Sequence, residues 1–208
     1  MRWPRSKHRG NEAEQFRRKL EQTLDAGCDC KLLDNNAMPF RYGNVYELVY
    51  RDVHPCLVAG VDRDQIDLLI ALGTCFDPPL SLLWILTMSE QDDFPRGRYF
   101  IEPSFEIAEI AGFLGEHQKF FELDGRSAVW IGDTEGSLVV YDQHNLIHCY
   151  GNTDEFRPVL DRFGVRRGEL PGIGPHAHVY KRDMDDVVDI IARTYPWAWS
   201  ELHEDDDA

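Results

Sequence analysis

The sequence predicts an α+β fold: a central antiparallel β-meander covered by helices, with an N-terminal helical region. Three observations carry this. Three short β-type runs, Ala128 to Gly132, Ser137 to Tyr141 and Leu146 to Tyr150, follow one another across four-residue turns, Asp133-Thr134-Glu135-Gly136 and Asp142-Gln143-His144-Asn145. Segments with apolar residues at helical spacing lie before and after them. Strands and helices do not alternate regularly, so a parallel βαβ sheet is not indicated.

In chain order, residues 1–10 read as a flexible basic arm, 11–200 as one domain, and 201–208 as a loose acidic tail. A first helix is predicted from about Glu12 to Ala26, with Ala13, Phe16, Leu20 and Leu24 in one stripe and Gly27 as its stop. Residues 31–60 are ambiguous, and Val45 to Tyr50 suits a strand or a short helix. Asp64 is placed as the cap of a helix from Gln65 to about Cys75. After Pro78 and Pro79, residues 80–88 read as a second buried helix. Arg98 to Glu102 is a short strand, and Ser104 caps the helix that carries Ile107, Ile110 and Leu114. Past the meander, Thr153 caps a helix with Phe156, Val159, Leu160 and Phe163 on one face. Ala177 to Tyr180 is a strand, Asp183 caps the last helix, and Trp197 and Trp199 with Tyr195 form an aromatic plug beyond it. Both faces of strands 128–132 and 137–141 are apolar, which predicts cover on both sides.

Composition bounds the function. The 208 residues carry a net charge of -15, yet residues 1–20 sum to +5, so the remaining 188 carry -20. Such a body repels nucleic acid and anionic membrane and attracts a basic protein partner. No apolar run approaches the roughly 20 residues needed to span a bilayer, and no secretory leader follows the basic first residues. A cytoplasmic protein with five reduced cysteines is the expectation. Oligomeric state is not legible.

Most catalytic signatures are missing: there is no Gly-x-Ser-x-Gly, no phosphate loop and no cysteine paired with a histidine on one strand face. The acidic turns supply candidate partner contacts at Asp92, Asp93, Asp133 and Glu135, a docking role that needs no cofactor and no catalytic residue. The alternative lies in the histidines. His176 and His178 project to one side of a strand, and His144 with Asp142 sits in the second meander turn. Together they would offer three nitrogens and a carboxylate to zinc or iron, as a metal-dependent hydrolase requires.

One resemblance follows from order rather than from a sharp motif. Pro78-Pro79 and the run Leu80 to Met88, read as a proline-led helix, precede a strand and helix. Then come Ile131-Gly132-Asp133, the Gly136 turn, Leu138 to Asp142, a further strand, and a helix with Phe156 and Leu160. Residues 75–164 resemble in this the SUKH superfamily, small acidic α+β proteins that mostly act as immunity proteins against secreted bacterial toxins. Leu80-Ser81 replaces the acidic residue usual after the prolines. The resemblance implies a non-enzymatic inhibitor, here an acidic module blocking the basic active site of a toxin domain, such as a nuclease.

Overall fold

The computed structural model describes residues 7–51, 54–91, 93–204 and 206. Helix α1 spans Lys7–Asp25 and so begins inside the expected basic arm. Its Phe16 and Leu20 are only half-buried and Leu24 is exposed, so this helix is lightly packed. Next come β1 (Leu32–Leu33), β2 (Val45–Arg51), β3 (His54–Gly60), α2 (Gln65–Gly73), β4 (Leu80–Leu86), β5 (Gly97–Phe105), α3 (Ile107–Glu116) and α4 (Gln118–Leu123). The meander is β6 (Ser127–Gly132), β7 (Leu138–Tyr141) and β8 (Leu146–Tyr150). It is followed by α5 (Thr153–Arg162), β9 (Arg166–Arg167), β10 (Ala177–His178), a 3-10 turn at Arg182–Met184, α6 (Asp185–Thr194) and β11 (Ala198–Ser200). The α+β class holds.

Among the described residues nine strands form one sheet, in the order β11-β5-β4-β6-β7-β8-β3-β2-β9. Every neighbouring pair is antiparallel except β2 with β9. The expected meander is therefore the middle of a much wider sheet. β1 and β10 pair separately, Leu32 opposite His178.

Several local expectations are corrected. Residues 80–86 form a strand, not a helix, paired on both sides with Leu83 opposite Phe100 and Trp130. A seven-residue apolar run has no polar alternation to distinguish a fully buried strand from a buried helix. The same correction removes the helix that the SUKH resemblance reads after the prolines. Asp64 lies in the left-handed region and makes no side-chain cap; Glu122 Oε1 instead accepts the Ile66 N–H. Glu106 caps α3 in a box with Glu109, and Asn152 caps α5 through the Asp154 N–H. Met184, not Asp183, stands at the cap of α6. Cys28 and Cys30 are joined as a disulfide, against the expectation of reduced thiols.

The two faces of the sheet differ. Val129, Ile131, Val139, Tyr141, Ile147 and Cys149 alternate onto one side, at most 1 % exposed, under the helices. Phe156, Val159 and Leu160 of α5 enter the same core, with Val188 and Ile191 of α6. Trp197 packs on Trp84, Tyr99 and Phe113 and Tyr195 on Phe105 and Phe113, while Trp199 is half exposed, so two of the three members of the expected aromatic plug pack against the core. Among the described residues no helix covers the opposite side in the middle of the sheet. There Ala128, Trp130, Leu138 and Leu146 remain partly open and line a trough of about 930 Å³. The expectation of cover on both sides holds only in part: Val140, Leu83 and Ile85 on the second face are buried, while Trp130 and Leu138 beside them stay partly open.

Among the described residues no helix is long and apolar enough to cross a membrane.

Removing buried volume under the helices should cost more than removing it over the trough. Phe156→Ala and Val139→Ala should lose on the order of 2–4 kcal/mol in denaturant unfolding, and Leu138→Ala less than about 1 kcal/mol. Equal losses at Val139 and Leu138 would contradict the one-sided core.

Candidate metal centre

His144 is placed by the turn between β7 and β8. Asp142 Oδ1 accepts the backbone N–H groups of His144 (2.8 Å) and Leu146 (2.9 Å), which closes the turn, and Asn145 takes the left-handed conformation within it. The Tyr42 hydroxyl donates to the His144 carbonyl at 2.9 Å, and the Tyr141 hydroxyl to Asn145 Oδ1 at 2.7 Å. His148 Nε2 donates to Asp142 Oδ2 at 3.0 Å, while His144 Nδ1 lies 3.8 Å from the same oxygen. Burial opposes charge on Asp142, yet the hydrogen bonds and charge of His144 and His148 outweigh it and hold the carboxyl well below its ordinary range.

His176 and His178 arrive from the far end of the sequence. Lys31 O accepts the Val179 N–H and Val179 O accepts the Gly125 N–H, which lays β10 against β1 and the start of β6. Gly125 is required by proximity. A Cβ there would sit 2.9 Å from both His178 Cβ and the Lys31 carbonyl. Deeper still, Arg126 forks onto Asp124 through Nε (2.8 Å) and Nη2 (2.9 Å) and reaches Asp185 Oδ1 at 2.6 Å and the Lys181 carbonyl at 2.9 Å. Asp124 Oδ2 accepts the Lys181 N–H at 2.7 Å. This buried cluster fixes the segment that carries His178.

The three imidazoles meet. His144 Nε2 and His176 Nε2 are 3.2 Å apart, and one nitrogen from each of His144, His176 and His178 falls within 4.8 Å of the others. The outer nitrogen of His176 defines its tautomer. His176 Nδ1 lies 2.9 Å from the Gly174 carbonyl, which only accepts, so Nδ1 carries the proton and Nε2 presents a lone pair. His144 Nδ1 stands 3.8 Å from Asp142 Oδ2, too far for a hydrogen bond, so the place of its proton is not set from behind. His144 Nε2 and the His176 lone pair, 3.2 Å apart, can share a proton, and a cation can take that proton's place. Zinc–nitrogen bonds of about 2.0–2.1 Å at a tetrahedral angle place two nitrogens roughly 3.3 Å apart, close to the separation seen. Burial, then His144, His176 and Lys31, push His178 down to about 4, so it is a neutral donor at pH 7. His178 Nδ1 is buried without a hydrogen-bond partner.

Asp142 is not the fourth ligand that the sequence reading gave it. Its oxygens are committed to two backbone N–H groups and to His148, and it acts on the cluster as an orienting carboxylate. The acidic docking candidates are not brought together either. Asp133 and Glu135 share one turn, where Asp133 Oδ1 accepts the Glu135 and Ser137 N–H groups. Asp93 follows the opposite end of β4, where Leu86 rather than Ser81 is the nearest paired residue. Asp92 lies outside the described residues. No protein-family model, curated protein or solved structure matches this chain.

Sequence reasoning passed over Lys31, which is wholly buried beside the cluster. Its amine donates to the carbonyls of Asp142 (2.7 Å) and Phe121 (3.2 Å) and lies 3.6 Å from the Tyr141 ring centre. No local motif marks it, since both carbonyls come from distant segments. Burial lowers its pKa from 10.5 to about 7, against the opposing pull of Asp142, Asp124 and Glu122. Between those values the unfolded chain holds a proton that the folded chain has released, so this residue makes stability rise with pH from about 7 upward. The unfolding free energy of wild type relative to Lys31→Met should therefore increase between about pH 7.5 and 9.5, as followed by urea titration; a difference independent of pH would refute the assignment.

Proposed function

We propose that this protein is a divalent-metal-dependent hydrolase whose zinc is held by His144, His176 and His178 at the rim of the open sheet face. The observation that carries the reading is the convergence of one nitrogen from each of three histidines within 4.8 Å, two of them 3.2 Å apart and the one on His176 presenting a lone pair. Three imidazoles suit zinc and leave one tetrahedral position for water. A metal there lowers the pKa of that water toward neutrality and polarises a substrate oxygen. His144 lines the trough as well as the cluster, so a molecule lying on the sheet reaches the metal-bound water. Asp142 is a positioning residue, since it closes the turn that carries His144.

Untagged protein purified without chelator should contain close to one zinc per chain by elemental analysis. His176→Ala and His178→Ala should each lose at least about tenfold in zinc affinity while keeping the fold, and zinc should raise the unfolding temperature of the wild type only. Less than about 0.2 metal per chain, with no thermal shift on adding zinc, would overturn the proposal.

A further inference from the structure

The trough has a charged end opposite the histidines. Arg98 lies on the open face of β5. It pairs with Ile85, which pairs with Ala128; the neighbouring pair Val129 and Tyr141 then sets Asp142 next in the row. At about 4.8 Å per strand, the Cα atoms of Arg98 and Asp142 stand roughly 14 Å apart across an apolar floor. The Arg98 guanidinium also lies 5.2 Å from the Trp130 ring centre.

What occupies that guanidinium is the C-terminal tail. Asp206 accepts from Arg98 Nη1 at 3.0 and 3.3 Å, and His203 Nδ1 lies 3.0 Å from the same nitrogen. The pair is largely buried, with side chains 16 % and 4 % exposed, so the tail is not the loose segment its sequence predicts. Yet the contact is poorly matched. Among the described residues all three contacts fall on one nitrogen, and Nε and Nη2 make no hydrogen bond. A carboxylate approaching along the fork would take two parallel N–H bonds and be held more strongly.

We infer that the trough is a substrate cleft for an acyl compound with an apolar or aromatic middle and a free carboxylate, which binds Arg98 in place of Asp206. The inference rests on the hydrolase reading for the reacting end, whereas the anchoring end is testable without metal. In the reaction, the water oxygen bonds to the acyl carbon, the acyl–nitrogen bond breaks, and the nitrogen leaves with a proton from the water. The tail is a tethered competitor at millimolar effective concentration, displaced by ligand.

The test is calorimetric titration with N-benzoyl-glycyl-glycine and with its neutral carboxamide, on zinc-loaded and on EDTA-treated protein. Asp206→Asn, and a chain ending at Leu202, should bind the carboxylate at least about tenfold more tightly than wild type, with or without zinc. Adding Arg98→Gln to Asp206→Asn should remove the gain, and the carboxamide should show none. Equal affinity for acid and amide, a gain that survives Arg98→Gln, or no binding by any variant would overturn the inference. Arg98-dependent binding in protein that takes up no zinc when zinc is supplied would uphold the cleft and sink the metal centre. Retained zinc with no Arg98 dependence would do the reverse.

Discussion

The fork of Arg126 on Asp124 is the interaction on which the candidate site depends. Both side chains are almost wholly buried, and a buried charge left without its partner costs about 3–5 kcal/mol. The pair sits at the entrance to β6 and gathers the Lys181 N–H and carbonyl and the Asp185 carboxylate. The chain after the loop at 168–175 is thereby returned to the sheet. Without that return β10 has no reason to lie beside β1, and His178 would not meet a histidine 34 positions earlier. The electrostatics of a point deep in the fold thus set the geometry of a cluster at its rim.

The meander was legible because strand period, turn residues and strand length agreed there, and its turns appear as read. The core face of β6 and β7 was also legible, since alternation assigns Val129, Ile131, Val139 and Tyr141 to one side without knowledge of what covers them. The strand β4 was not. Leu80 to Leu86 is apolar at nearly every position because side chains on both of its faces are buried, Leu82 and Trp84 on one and Leu83 and Ile85 on the other, and that hides the period. The extent of the sheet was equally hidden, as β2 and β3 join it through pairings with β8 far along the chain.

For the site, residue type and face were enough to group His144 with His176 and His178, although which strands would meet was not readable. The role of Asp142 was misjudged for a physical reason. A carboxylate two residues before a turn N–H is drawn to that donor, and backbone geometry outcompetes a ligand role. Arg98 and Lys31 could not be found by sequence at all, since each is defined by groups about 90 or more residues away.

The outer strands of the sheet bear on behaviour in crowded solution. An open sheet exposes two rows of backbone donors and acceptors, which invite pairing with another chain. Here one border is β9, two residues long and made of Arg166 and Arg167, both exposed. The other is β11, three residues long and starting two residues after Pro196, and it lies against Gly97, where any side chain would collide with Trp199. Both borders are too short to template a foreign strand, and one adds paired positive charge. They shield only part of each edge, since β9 pairs with Val45 and Tyr46 of β2 and β11 with residues 98–100 of β5, so the remaining lengths of β2 and β5 are where a second chain would add.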